Sequence, residues 1–208
     1  MGFPGFTCMS VEYPESLAAS YDVTEGLDRT VITQALLEYV KNVLQMTPSS
    51  YGIVGHSLGC GTVLTTGDDS WTRVCIAGPP VRRSDGVSFP KTLLIASVND
   101  GAVNMERIGP LIPTDFVRIS PTIEETTLPK KAAFIFENKD SAPNHISFLA
   151  DGTNQAMIQF LSPLLPVAQA LGIPVLDFDK YKISQDSQPT ANVVIPLVTS
   201  YLKQNMSL

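Results

Sequence analysis

The chain has 208 residues, 44% of them hydrophobic and 16% charged, which suits one compact domain with a substantial core and not a disordered chain. A formal net charge of -6 repels phosphate backbones and argues against nucleic-acid binding; Arg82-Arg83, the only adjacent arginine pair, reads as solvated surface. No apolar run reaches membrane-spanning length, Met1-Gly2-Phe3-Pro4 lacks the regions of a signal peptide, and Phe6 stands where myristoylation wants Ser or Thr.

Short apolar runs alternate with helical patterns, without repeats or linkers, and so predict an α/β domain with a mostly parallel sheet flanked by helices. Phe6–Tyr13 reads as a first strand ended by Pro14. From Glu25 to Gln45 the apolar residues fall at 31, 32, 35, 36, 39, 40, 43 and 44, a helical stripe, with Asp22 and Glu25 offering a capping box. Thr47-Pro48-Ser49-Ser50 ends it, and Tyr51–Val54 is a short strand leading into Gly55-His56-Ser57-Leu58-Gly59. Further strands are expected at Trp71–Ala77, at Thr92–Val98 (closed by Asn99-Asp100-Gly101) and at Ala132–Phe136. Asp100 to Lys131 reads as a long loop walling one side of the sheet edge. Helix-compatible stretches follow at about 152–171, broken by Pro163, Pro166 and Pro174, and at 190–203. Cys8, Cys60 and Cys75 lack metal-ligand spacing; each lies among apolar residues and is expected to be a small buried hydrophobe, which suits a reducing, intracellular compartment.

The chemistry concentrates at Ser57. A hydroxyl is a poor nucleophile unless a base takes its proton, and it must stand clear of the backbone. Gly-x-Ser-x-Gly at a strand-to-helix junction supplies that geometry, with Gly55 and Gly59 lacking Cβ atoms that would clash. Leu58 then begins a helix and offers a free N–H to a developing oxyanion. The alternative is a tight turn with no chemistry.

Two histidines are present. His56 adjoins the serine, and in such a turn its side chain points away from where a base must sit; it reads as a packing or oxyanion-supporting residue. His145, in a polar loop after an apolar strand, is therefore the candidate base, with incidental surface placement as the alternative. Asp100 ends the strand Thr92–Val98 and would orient the imidazole, unless it serves only as a turn residue. Asp140 is too close in sequence to His145 for this role, Asp68 or Asp69 reads as a helix terminator, and Glu124 and Glu125 read as solvated.

In the order Ser57, Asp100, His145, these residues resemble the α/β-hydrolase superfamily, particularly its small capless esterases and lipases. Gly55–Gly59 is similar to the lipase-type elbow. Thr92-Leu-Leu-Ile-Ala-Ser-Val-Asn-Asp100 resembles the acid-bearing strand, and Asn144-His145 with Ser147-Phe148 the histidine loop. Gly5-Phe6 to Pro14 is similar to the family's fourth strand. In the family three strands and a helix precede that strand, and the turn after the third supplies a second oxyanion N–H. The resemblance therefore implies a chain shortened at its N-terminus.

That shortening predicts that Tyr51–Val54 becomes an exposed apolar edge, or that the first strand moves across to pair with it. Poor solubility or weak activity is the expectation, since a lost oxyanion donor costs roughly 10²–10³ in kcat. The gap from Gly78 to Pro90 is too short for a cap, so the site should be open. Met157–Leu165 could line an acyl pocket, with core packing the preferred reading.

The implied function is hydrolysis of carboxylic esters, lipid or small acyl, through an acyl-Ser57 intermediate. An acyltransferase or thioesterase using the same residues, or a non-catalytic relic, are the alternatives. No metal or organic cofactor is implied.

Overall fold

The computed structural model describes residues 6–10, 29–78, 87–119, 127–149, 165–170 and 187–206, together with 159 and 163. Its elements in chain order are α1 (Arg29–Asn42), β1 (Gly52–His56), α2 (Gly59–Val63), β2 (Thr72–Ile76), β3 (Thr92–Ser97), α3 (Met105–Ile108), a 3-10 turn (Gly109–Leu111), β4 (Val117–Ile119), β5 (Lys131–Phe136), α4 (Leu165–Ala170) and α5 (Ser187–Asn205). The five strands form one sheet in the order β1-β2-β3-β5-β4, and every pairing is parallel. This is an α/β domain.

Adjacent residues of the central strands face opposite sides of the sheet, and both sides are covered. Val74, Leu93, Ala132 and Phe134 pack on one face with Leu197, Val198, Tyr201 and Leu202 of α5. Their neighbours Cys75, Leu94 and Ala133 pack on the other face with Cys60, Val63 and Leu64 of the α2 segment and with Phe89. Burial on both faces explains why these strands read as continuous apolar runs rather than alternating ones. It also explains why β2, β3 and β5 fall within a residue or two of their expected positions.

Arg73 in β2 is an exception to the apolar pattern, fully buried at 0% exposure. Its guanidinium donates to the main-chain oxygens of Val63, Thr66, Asp68 and Trp71 and lies 3.8 Å over the Phe89 ring. Carbonyls from the end of α2 and from the connection that leads into β2 are thus gathered by one planar five-donor group. That arrangement ties the short helix after the serine to the sheet beneath it.

Several expectations need correction. Residues 6–10 are irregular, so the first strand is not formed there; its remainder, 11–13, lies outside the described residues. Among the described residues β1 pairs with β2 alone and stands at the end of the strand order, with Val54 43% exposed. The long loop after Asp100 contains α3 and β4, an edge strand of three residues paired to β5, too short to leave a periodic signature. The helix foreseen at Glu25–Gln45 runs Arg29–Asn42, and its capping pair lies outside the described residues. Its apolar stripe is mostly solvent-facing: Val31, Tyr39, Val43 and Leu44 are exposed, and Val40 is buried. Cys8 is exposed whereas Cys60 and Cys75 are buried. The terminal helix extends beyond 190–203, and it accommodates Pro189 and Pro196 at exposed positions. No helix among the described residues is long and apolar enough to cross a membrane.

Candidate active site

The carboxyl ends of β1, β3 and β5 converge. Ser57 follows directly on β1 and holds φ at +54°, the left-handed region that costs a non-glycine residue about 1–2 kcal/mol. Its N–H donates to Ile76 O at 2.9 Å, so the neighbouring strand fixes the turn. Gly55 is required here, because a Cβ would lie 2.5 Å from Gly59 O and 2.7 Å from Val63 Cγ2. Gly59 is not required on that ground: a Cβ there would meet nothing within 4 Å, so the expectation of a clash at both glycines holds for Gly55 only. A glycine the motif does not contain matters as much, since a Cβ on Gly78 would lie 2.2 Å from Cys60 Sγ and 2.9 Å from Ser57 O.

The serine meets an imidazole. His145 Nε2 lies 2.8 Å from Ser57 Oγ, and His145 Nδ1 lies 2.9 Å from Asp100 Oδ2. A carboxylate only accepts, so Nδ1 carries the hydrogen and the Nε2 lone pair receives the serine O–H. Asp100 is 1% exposed. Its second oxygen, Oδ1, accepts the N–H groups of Ala102 at 2.9 Å and Val103 at 2.7 Å. The turn role and the orienting role are therefore filled by different oxygens of one carboxylate. Leu58, the helical N-cap residue of α2, keeps a backbone N–H with no intrahelical acceptor beside the serine, and its side chain is 55% exposed.

A buried polar network carries the loop between β5 and His145. Ser97, the last residue of β3, donates its hydroxyl hydrogen to Pro143 O. Asn99 Nδ2 donates to Lys139 O at 2.8 Å and Ala142 O at 2.9 Å. Asn144 Oδ1 accepts from the N–H groups of Ile146 and Ser147, both at 2.9 Å, and from Ser147 Oγ at 2.8 Å. Sequence reasoning assigned none of these bonds, although it placed Asn144 in the histidine loop. Only the polar run at the end of an otherwise apolar strand, Ser97 and Asn99 before Asp100, hints at them.

His56 does not point away from the base, as expected from the turn, but packs on it. The two imidazole centroids are 4.9 Å apart, and His56 Nε2 lies 2.9 Å from His145 O. Burial, and next the neighbouring His145, hold the His56 pKa down at about 4. A hydrogen bond with Cys60, and next burial, push the Cys75 thiol up, which keeps it protonated.

Among the described residues the competing carboxylates stand apart from the line of Asp100, His145 and Ser57. Asp68, Asp69 and Asp140 are exposed, and Asp68 accepts from Ser70 N at 2.8 Å in a turn just beyond α2. Glu124, Glu125, Arg82 and Arg83 lie outside the described residues, as does most of the stretch 157–165. Among the described residues no three His, Cys, Asp or Glu side chains cluster as a metal site would need.

Compared with known proteins, the chain matches no family, no curated protein and no solved structure. The α/β class rests on the parallel sheet with flanking helices.

Proposed function

We propose that this chain is a serine hydrolase of the α/β-hydrolase type, cleaving carboxylic esters through an acyl-Ser57 intermediate. One observation carries the reading: an unbroken hydrogen-bonded line from Asp100 through His145 to Ser57, with distances of 2.9 and 2.8 Å. His145 Nε2 takes the serine proton as Oγ attacks the ester carbonyl. Asp100 holds the ring in the required tautomer and stabilises the imidazolium that forms. The Leu58 N–H receives the negative charge developing on the carbonyl oxygen.

His145 then hands its proton to the departing alkoxide, which leaves as an alcohol. Water attacks the acyl-serine by the same proton path, releasing the acid and restoring Ser57. An alcohol in place of water would yield acyl transfer, and a thiol leaving group would make the enzyme a thioesterase.

The test is reaction with a fluorophosphonate, which phosphonylates only an activated serine. Mass mapping should place one adduct on Ser57, and the adduct should disappear in His145→Ala. A folded protein that stays unmodified, at probe concentrations that label ordinary serine hydrolases, would favour a non-catalytic protein instead.

A further inference from the structure

His56 has no place in the proton path just described, yet it is buried against that path. It is the last residue of β1 and stands one position before the nucleophile. Because a carbonyl only accepts, the 2.9 Å contact with His145 O requires the hydrogen on His56 Nε2. The ring also lies 6.1 Å from Phe148, so it fills the space between β1 and the base loop.

We propose that His56 is a positioning residue: its Nε2–H ties the main chain of the base to the nucleophile strand and so sets the reach from His145 to Ser57. The inference rests on the hydrolase reading of the site. Its logic follows from topology. The acid extends from β3 and the nucleophile from β1, with β2 between them, so the base must span two strand spacings, about 10 Å. Ser97 and Asn99, on the β3 side, hold the loop at residues 139, 142 and 143. Those bonds stop two residues short of the base. The bond from His56 holds the base's own carbonyl from the other side.

Charge supports the same role. Among the described residues the titratable groups facing His56 are His145 and Asp100, and burial dominates its depressed pKa of about 4. It therefore stays neutral across the working range. It does not oppose the positive charge that His145 acquires at the transition state.

Two substitutions separate positioning by a donated hydrogen from simple packing. Glutamine places an amide N–H near the original Nε2 but fills the space poorly; phenylalanine fills the space and donates nothing. The expected result is that His56→Phe lowers kcat by about 10- to 100-fold with KM within about threefold, as for a small misplacement of reacting groups. His56→Gln should remain within about fivefold of the parent. The fluorophosphonate labelling rate of Ser57 should follow the same order.

Phenylalanine outperforming or equalling glutamine would overturn the proposal. If both variants are inert, hydrogen exchange over residues 143–147 decides: protection kept with Gln and lost with Phe upholds it, and equal protection overturns it. A parent protein whose Ser57 never labels removes the hydrolase reading itself and this inference with it.

Discussion

The two ends of the sheet carry the same kinds of side chain in different arrangements. At the carboxyl ends stand Ser57, His145 and Asp100. At the amino ends Ser88 donates to Asp115 Oδ2 at 2.8 Å, while Lys131 Nζ lies 2.9 Å from Ser88 Oγ and 2.6 Å from Asp115 Oδ2. Each end thus holds a serine, an aspartate and a side-chain nitrogen.

They differ in where the serine proton points and in what surrounds it. Ser88 gives its hydrogen directly to a carboxylate on an exposed residue. Hydrogen bonds from Lys131, and next from Ser88, hold that carboxyl below its ordinary pKa, so it stays charged and is a weak base. Ser57 gives its hydrogen to an imidazole whose far side rests on a buried carboxylate. On the proposed hydrolase reading, a fixed tautomer and the adjacent Leu58 N–H suit the second arrangement to proton transfer, as residue types alone would not.

The largest expected effect breaks this comparison directly. Ser57→Ala should lower ester turnover by about 10⁴-fold or more, whereas Ser88→Ala should leave it within about twofold; turnover of an activated ester measures both. A strong loss with Ser88→Ala would mean that the amino end had been misread.

Next come the two glycines of the elbow. Gly55→Ala forces a Cβ to 2.5 Å from a backbone oxygen and should destabilise the fold by about 3 kcal/mol or more, or expel Ser57 from position. Gly59→Ala meets open space and, inside a helix, should be neutral or stabilising by up to about 1 kcal/mol. Denaturant midpoints compare the pair.

Acid sharpens the contrast further. The folded His56 pKa of about 4 lies below its ordinary 6.5. Between those values the unfolded chain binds a proton that the folded chain does not. The stabilisation is therefore complete above pH 6.5 and is lost as pH falls toward 4, by about 3 kcal/mol at the most. Denaturation at pH 7.5 and pH 4.5 should show this loss, and it should be smaller in His56→Gln. The smallest effect belongs to the amino end: Lys131→Met should cost no more than about 1 kcal/mol, as expected of a partly exposed ion pair.

The contrast also explains what was legible in the sequence. β2, β3 and β5 announce themselves because strands covered on both faces are apolar throughout, and Ser57, Asp100 and His145 because each lies in a polar segment after a strand. Val117–Ile119 escaped because three residues on an exposed edge impose no pattern. Phe6–Ser10 misled because a largely apolar composition says what a strand would tolerate and not that the segment pairs.

The tertiary hydrogen bonds were invisible for a different reason. Ser97, Asn99 and His56 bond to main-chain oxygens 40 or more residues away, and a carbonyl leaves no mark on residue identity. Gly59 was misjudged in the same way, since only coordinates reveal that the space beside it is open.

The most direct measurement is rapid mixing with an activated ester, quenched and read by mass spectrometry of the intact protein and its peptides. One acyl group should accumulate on the peptide bearing Ser57 before steady turnover begins, and it should form far more slowly in Asp100→Asn. Ester turnover with no acyl-serine, or with acyl groups scattered over lysines and unaffected by the Asp100 change, would contradict the account.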